Sequence, residues 1–162
     1  MGPVPNIDHA SGRIFQLAVS PGGVPKLPIR EARVDRLGLA GDEHAHPKQH
    51  GGPERAVCLF ALELIEQLQA AGHPIWPGSA GENVTFRGLD YLALAPGTRL
   101  ALGDEVIVQL TRATEPCKFI AGSFLGGAFR TIDHALHPGI TRWYASVERE
   151  GTIRVAQPVR IL

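Results

Sequence analysis

The sequence predicts a mainly β protein, and three features of its 162 residues lead to that prediction. The 19 glycines and 13 prolines divide the chain into short segments, which favours strands joined by turns over long helices. The apolar runs between them are short, and only one stretch shows clear helical spacing. The length fits one domain, residues 1–162, that can bury a substantial core.

The first half of the chain is predicted to hold four strands and one distinct helix. The strands lie at residues 13–19, 29–37, 56–60 and 84–87, and the second is expected to pair with the first. The helix covers residues 61–71, because its apolar residues recur on one helical face. Gly72 and Pro74 follow directly and form the usual stop signal of a helix.

The second half is predicted to be a series of short strands. Residues 99–102 and 105–112 flank Gly103-Asp104 and form a hairpin, whose second strand is half buried because its apolar residues alternate with polar ones. Residues 118–136 have a weak helical tendency that glycines interrupt. The last strands are predicted at residues 143–147, 152–156 and 159–162.

Charge and cysteine content restrict the classes of function. Lysine plus arginine and aspartate plus glutamate both number 16, and no basic stripe is present, so nucleic-acid binding is not expected. No apolar window is long enough to span a membrane, and the N-terminus does not resemble a secretory signal. The two cysteines, Cys58 and Cys117, favour free thiols in a reducing, cytoplasmic setting, although a disulfide between them stays open.

Cys117 is the first candidate for chemistry. Pro116 suits the residue just before a helix, so the thiol is expected at a strand-to-helix junction. Helix amides and the adjacent Lys118 would there favour a nucleophilic or metal-ligating thiolate, while Glu115 would oppose that effect. A small buried hydrophobe is the alternative reading of Cys117. Cys58, inside an apolar run, is predicted to be a core residue.

The stretch GDEHAHPKQHGG, residues 41–52, has three alternative interpretations. His44 and His46, with Asp42 or His50, offer ligands for zinc, but their spacing is weakly diagnostic. Gly51 and Gly52, followed by Arg55, also suit a loop that binds phosphate or carboxylate through backbone amides and a guanidinium. A solvated polar turn is the third interpretation.

Three further polar positions are candidates. Asn83 follows the glycine-rich run at residues 78–81, and Thr111 and Arg112 precede the thiol at the end of a predicted strand. Arg142, next to Trp143 and Tyr144, is expected to stack on a surface aromatic rather than to bind a ligand.

Three motifs together resemble one known family. GDEHAHPKQHGGPERAV, GSAGENVTFRGLD and LTRATEPCK have the order and spacing of the MOSC domain, named for the C-terminal region of molybdenum cofactor sulfurases. The resemblance covers essentially the whole chain and implies a stand-alone MOSC protein. It also implies a closed, mostly antiparallel β-barrel of the MOSC or pyruvate-kinase-like type with a few peripheral helices.

The resemblance assigns roles to particular residues. The key cysteine of the family falls on Cys117, which in cofactor-holding relatives ligates molybdenum. The molybdenum cofactor (molybdopterin) ends in a phosphate, and the residue types that suit its pocket include cations, amides and backbone donors. The implied cofactor-binding residues are Lys26, His44, His50, Gly51, Gly52, Arg55, Asn83, Thr111 and Arg112. His46 is expected to face solvent.

Three functions remain open at the level of sequence. The bound cofactor would reduce N-hydroxylated small-molecule substrates with electrons from a redox protein, since the chain has no cluster, flavin or nicotinamide motif of its own. Alternatively, Cys117 would be a sulfur carrier, accepting a persulfide from a cysteine desulfurase. A third reading is a non-catalytic module that binds a phosphorylated small molecule such as pyridoxal phosphate, although no lysine suggests itself for a Schiff base.

Overall fold

Seven strands close into a barrel in the computed structural model, which describes residues 10–43 and 51–162. The strands of the described chain are β1 (Ser11–Val19), β2 (Leu27–Ile29), β3 (Glu31–Asp35), β4 (Gly38–Leu39), β5 (Val57–Ala61), β6 (Val84–Arg87), β7 (Arg99–Leu102), β8 (Val106–Ala113), β9 (Trp143–Arg149), β10 (Gly151–Arg154) and β11 (Pro158–Ile161). The barrel order is β1, β11, β7, β8, β9, β5, β6 and back to β1. Its neighbouring strands are antiparallel except β5 and β6, which are parallel. The predicted mainly β, closed-barrel fold is confirmed.

The segment after β1 divides between two sheets, which corrects the prediction that residues 29–37 pair with β1. Within this segment only β2 pairs with β1, in a register that runs from Leu17 opposite Ile29 to Val19 opposite Leu27. β3 instead joins β4 and β10 in a separate three-stranded sheet. Ala32 and Val34 explain the division, because they are buried while the residues between them are exposed, and this alternation fits a second half-buried sheet.

The predicted helix is α1 (Leu62–Ala70), which packs against β5 and β6. Its buried face consists of Leu64, Ile65 and Leu68, as the spacing predicts. It ends at Ala70, and Gly72, two residues later, has a φ of 96° and donates its N–H to the Gln69 carbonyl, which closes the last turn. No helix within the two described ranges is long and apolar enough to cross a membrane.

Two local predictions in the second half need correction. The hairpin of β7 and β8 pairs Leu102 with Val106, so its turn is one residue longer than expected. Residues 118–136 do not form an α-helix but three short 3₁₀ helices, at Lys118–Ser123, Leu125–Gly127 and Phe129–Ile132. Gly126 and Gly127 have positive φ values, 62° and 73°, which no α-helix accommodates.

The barrel interior is the hydrophobic core. Phe60 on β5 and Phe86 on β6 are fully buried, and the inward side chains of β8 alternate with partly exposed ones. The remaining 3₁₀ helices, Pro53–Arg55 and Tyr91–Ala93, lie in connections between strands. The first of these precedes β5 and helps to form the candidate site.

Candidate functional site

A cavity of about 320 Å³ lies beside the barrel where several connections meet. Its walls come from the loop after β1, the start of β5, the loop before β6, the segment after β8 and the start of β9. The lining residues are Gly23, Val24, Lys26, Glu43, Arg55, Cys58, Ala80, Gly81, Asn83, Glu115, Cys117, Phe119, Ile120, Arg142 and Tyr144. Ligand pockets for small molecules begin at about this size.

Cys117 lies at the junction predicted for it, between β8 and the 3₁₀ helix Lys118–Ser123. Its carbonyl accepts the Ile120 N–H at 3.1 Å, which starts the helix. The thiol residue is half buried and lines the cavity. The Lys118 ammonium lies 5.7 Å from the Phe119 ring centroid, and Lys118 is exposed outside the cavity lining. Lys118 therefore contributes no charge to the cavity wall itself.

Lys26, Asp42 and Asn83 form a buried polar network at one wall. The Lys26 ammonium donates to both carboxylate oxygens of Asp42, at 2.7 and 2.6 Å, and both side chains are less than a tenth exposed. Asp42 also accepts from the Ser20 N–H at 3.0 Å and from the Asn83 amide at 2.8 Å. Asn83 in turn accepts the Cys58 N–H at 3.0 Å, so the network ties the loop after β4 to β5. The charge of Lys26 is neutralised inside the protein.

Glu82 is a fully buried acid next to this network. One carboxyl oxygen accepts the Gly78 N–H and the Thr85 hydroxyl, while the other has no partner. Burial raises the pKa of Glu82, and the Gly78 hydrogen bond and the positive charge of Arg142 only partly oppose that rise. Glu82 is thus shifted toward the neutral form and cannot fully balance a neighbouring cation.

Arg142 is buried, so the expectation that it stacks on a surface aromatic is wrong. Only 6% of the residue is exposed, and its guanidinium donates to the Ala80 carbonyl at 2.6 Å. Its Nε has no hydrogen-bond partner within residues 10–43 and 51–162. Its own carbonyl accepts the Thr114 N–H at 2.9 Å, which fixes the start of β9 to the end of β8. Arg142 therefore brings a firmly held positive charge to the cavity.

Arg55 and Tyr144 form the adjacent wall. The Arg55 guanidinium carbon lies 5.8 Å from the Tyr144 ring centroid, a cation–π distance. Thr111 holds this arrangement, because its hydroxyl donates to the Glu54 carbonyl at 2.6 Å and lies 3.3 Å from the Tyr144 carbonyl. Burial raises the pKa of Tyr144 to about 12, helped by the neighbouring Cys58 and Cys117 and opposed by the positive charges of Arg142 and Arg55. Tyr144 therefore stays neutral at physiological pH.

The structure brings together four of the residues predicted from sequence: Lys26, Arg55, Asn83 and Cys117 line the cavity. Gly51, Gly52, Thr111 and Arg112 do not line it; Thr111 bonds to backbone, Arg112 is exposed, and Gly52 precedes the 3₁₀ helix that carries Arg55. His44, His46 and His50 lie outside the described residues. Across residues 10–43 and 51–162, no group of three or more histidine, cysteine or acidic side chains is arranged to hold a metal ion.

Cys58, Arg142 and Tyr144 are the polar lining residues of the barrel strands, or next to them, that the sequence did not assign to the site. Cys58 is buried, as predicted for a core residue, yet it also lines the cavity, and burial raises the pKa of its thiol. The pairing of Cys58 with Tyr144 across β5 and β9 places both beside Arg142. Arg142, directly before the strand predicted at residues 143–147, is the one local feature of the sequence in this part of the site.

The barrel and its cysteine-lined cavity define the class of protein to which the chain belongs. A family model described as the MOSC domain matches residues 46–160, which is most of the chain, and the protein is a member of that family.

Relatives and solved structures support this assignment. The chain is 29% identical over 142 residues to YflK of Bacillus subtilis and 32% identical over 106 residues to YiiM of Escherichia coli. These matches cover 86% and 60% of this chain but 63% and 45% of the relatives, so less than two thirds of each relative is spanned. The crystal structure of the YuaD protein of Bacillus subtilis is similar with a TM-score of 0.76 at 19% identity, covering 93% of this chain and 95% of that one. YiiM from Geobacillus stearothermophilus gives a TM-score of 0.72 at 21% identity, covering 93% and 75%. Both show the same fold.

Proposed function

We propose that this protein binds the molybdenum cofactor in the cavity through Cys117 and supports reduction of N-hydroxylated substrates with electrons from a partner redox protein. The main observation in support is that one cavity of ligand size is lined by a half-buried cysteine and by two arginines without a described carboxylate partner. Membership in the MOSC domain family, which is related to the C-terminal domain of molybdenum cofactor sulfurases, supports the choice of cofactor.

The lining residues fit the chemistry of this cofactor. A thiolate is a soft ligand of the type that suits molybdenum, and the half-buried thiol of Cys117 faces the cavity. Arg142 has an unpartnered buried Nε, which leaves a donor for an anionic group. Gly81 lies close against Val24 in the wall, since a Cβ at that position would lie 3.0 Å from Val24 Cγ1. When bound, the cofactor would supply a redox-active metal that the side chains lack.

Each wall then has a distinct task. Cys117 would hold the metal end, and the arginines would hold the phosphate end of the pterin. Phe119 and Ile120 supply apolar surface near the thiol, where they limit the access of water. Tyr144 offers a neutral hydroxyl at the same wall, because its pKa of about 12 keeps the proton on the phenol. The Lys26 and Asp42 pair fixes another part of the wall without adding net charge.

Pyridoxal phosphate is less well supported as the ligand. A Schiff base needs a lysine with a free, unprotonated amine. Lys26 is the lysine that lines the described cavity, and its ammonium is held by both oxygens of Asp42. The Lys26 amine is therefore engaged by a carboxylate and is not free to attack a carbonyl group.

The first test is metal analysis of Cys117→Ser. Protein made in a host that synthesises the cofactor should contain close to one molybdenum per chain, and the Cys117→Ser variant should lose it, because a serine hydroxyl is a poor soft-metal ligand. Inductively coupled plasma mass spectrometry of the purified proteins measures this directly.

Cys58→Ala is the matched control for this test. Cys58 is the other cysteine of the chain, but its thiol is buried beside Thr114 and its pKa is raised, so its loss should leave the molybdenum content unchanged. Wild-type protein without molybdenum from such a host would contradict the proposal. Equal molybdenum in wild type and Cys117→Ser would contradict the role of the thiol.

A sulfur-carrier role is the second candidate, because Cys117 is partly exposed to solvent as well as lining the cavity. In that role the Cys117 thiolate attacks the terminal sulfur of a cysteine desulfurase persulfide. A new sulfur–sulfur bond forms at Cys117, the bond to the desulfurase sulfur breaks, and the desulfurase thiolate leaves. No external oxidant is required.

Intact mass spectrometry tests this second role. After incubation with a cysteine desulfurase and cysteine, the mass should rise by about 32 Da, the mass of one sulfur, and dithiothreitol should reverse the rise. Cys117→Ser should show no rise, whereas Cys58→Ala should behave like wild type. A wild-type mass that stays constant while the desulfurase itself carries a persulfide would refute the carrier role.

A further inference from the structure

Arg142 is a buried cation that lacks a counter-ion in the described protein. Only 6% of Arg142 is exposed, and Arg142 takes part in none of the ion pairs that the described residues form. Among the described residues, its guanidinium donates one hydrogen bond, to the Ala80 carbonyl, and its Nε has no partner. A buried charge is costly unless it is paired, so this arrangement points to an anion that completes the site.

The neighbouring acids cannot supply that counter-ion. Glu82 forms no ion pair with Arg142 among the described residues: its bonded oxygen accepts from Gly78 and Thr85, and burial raises the pKa of its carboxyl. Asp42 is bound to Lys26 through both oxygens. Glu43 and Glu115 also line the cavity, but both are exposed, where water screens their charge. The cavity thus has its positive charge at the buried end and its acidic residues at the solvent-exposed part.

We propose that Arg142 binds the phosphate group of the cavity's ligand, with Arg55 as the second cation. This assignment adds a phosphate-binding residue to the proposed cofactor site. It rests on the proposed function only in taking the molybdenum cofactor as the complete ligand. A guanidinium presents parallel N–H donors that match two oxygens of a phosphate, and the free Nε of Arg142 belongs to such a fork.

The number of unpaired cations favours a phosphate over a carboxylate. Arg55 and Arg142 both line the cavity next to Tyr144: the Arg55 guanidinium carbon lies 5.8 Å from the Tyr144 ring centroid, and the positive charges of both arginines lower the pKa of Tyr144. Neither forms an ion pair with a described carboxylate. A phosphate monoester carries a charge of about −1.5 to −2 at pH 7, which balances the two positive charges of the arginines. A single carboxylate carries one negative charge and would leave one arginine uncompensated.

Titration with inorganic phosphate tests the assignment. Isothermal titration calorimetry at constant ionic strength should show binding to wild type, a loss of affinity of about tenfold or more in Arg142→Gln, and partial retention in Arg142→Lys, which keeps the charge without the fork. Acetate should bind more weakly than phosphate. Arg160→Gln removes an exposed arginine from β11, outside the lining of the cavity, and should bind phosphate like wild type.

A measurement on wild-type protein keeps the proposal falsifiable if Arg142→Gln does not fold. The ¹⁵Nε–H resonance of Arg142, identified by its absence in Arg142→Lys, should shift on addition of phosphate and not of acetate at equal ionic strength. An unshifted resonance at phosphate saturation, or unchanged phosphate affinity in folded Arg142→Gln, would overturn the assignment.

Cys117→Ser separates this inference from the proposed function. The variant should keep the phosphate affinity of wild type while it loses molybdenum. Phosphate binding at Arg142 in a protein that never acquires molybdenum would refute the cofactor role alone. Molybdenum loading with no phosphate effect on Arg142 would refute the phosphate site alone.

Discussion

At the scale of single residues, Glu82 makes stability depend on pH in an unusual direction for an acid. Its pKa in the folded protein lies above the ordinary value of 4.5 because burial disfavours the carboxylate. The folded state therefore holds this proton more tightly than the unfolded state. The stabilisation is complete below pH 4.5 and is lost as pH rises through the folded pKa, with a slope of at most about 1.36 kcal/mol per pH unit.

Glu82→Gln should remove the loss of folding stability that wild type shows as pH rises. Glutamine keeps an oxygen for the Gly78 N–H and has no proton to release, so the variant should be more stable than wild type at neutral pH and less different near pH 4.5. Urea unfolding at a series of pH values gives the free energy of unfolding for both proteins. Glu150→Gln, a change at an exposed acid, should leave the wild-type slope intact. Parallel pH profiles for wild type and Glu82→Gln would show that Glu82 has no such role.

Individual site residues were predictable where local sequence carries their chemistry. Cys117 follows a proline at a strand end, and Arg55 and Asn83 adjoin glycine-rich turns, so each could be named from its neighbours. Arg142 and Cys58 could not be assigned to the cavity this way. They meet because β5 pairs with β9, and a contact between distant segments leaves no local pattern.

At the scale of elements, β4 connects the small sheet to the barrel through Gly38. Gly38 has a φ of 124°, and a Cβ there would collide with the carbonyl oxygen of Ala56, just before β5. Gly38→Ala should therefore destabilise the protein by about 2–4 kcal/mol, from backbone strain and from the displaced Ala56 carbonyl. Chemical denaturation measures the change in the free energy of unfolding.

Gly97→Ala is the control for this prediction. Gly97 also has a positive φ, 93°, but no atom lies within 4 Å of its added Cβ. The free energy of unfolding of Gly97→Ala should fall only by the strain of a positive φ at alanine, about 1–2 kcal/mol. Equal losses for the two variants would mean that the contact with Ala56 is unimportant.

Elements with one clear period were predictable, and composite ones were not. The alternation of β8 and the helical face of α1 each follow from a single repeating pattern, and both are confirmed. Residues 29–37 combine two strands that belong to different sheets, and no change of period marks the division. In residues 118–136 the glycines that interrupt the helical pattern decide the outcome, giving 3₁₀ turns.

At the scale of the whole molecule, β11 closes the barrel by pairing with both β1 and β7. Val159 is fully buried at this closure, whereas its neighbour Arg160 is exposed. Val159→Asp should destabilise the fold by more than about 3 kcal/mol, because it buries an unpaired charge. Arg160→Asp should change stability by less than about 1 kcal/mol.

Thermal unfolding and size-exclusion chromatography distinguish these outcomes. Val159→Asp should unfold at a lower temperature and associate, since an opened barrel presents unpaired strand edges. A Val159→Asp protein as stable as Arg160→Asp would show that closure through β11 contributes little. The closed barrel itself followed from the resemblance to the family and not from strand patterns, because period and turn signals do not specify which distant strands meet.

The parallel pairing of β5 and β6 follows from the parity of the strand count. Around a ring with an odd number of strands, directions cannot alternate without one mismatch, so at least one neighbouring pair must run the same way. A parallel pair cannot be joined by a tight turn and needs a long crossover. Residues 62–83 are that crossover, and they contain α1 as well as Ala80, Gly81 and Asn83 of the cavity wall. Because the parallel pair here is also consecutive in the chain, one wall of the cavity is part of the crossover that joins its two strands.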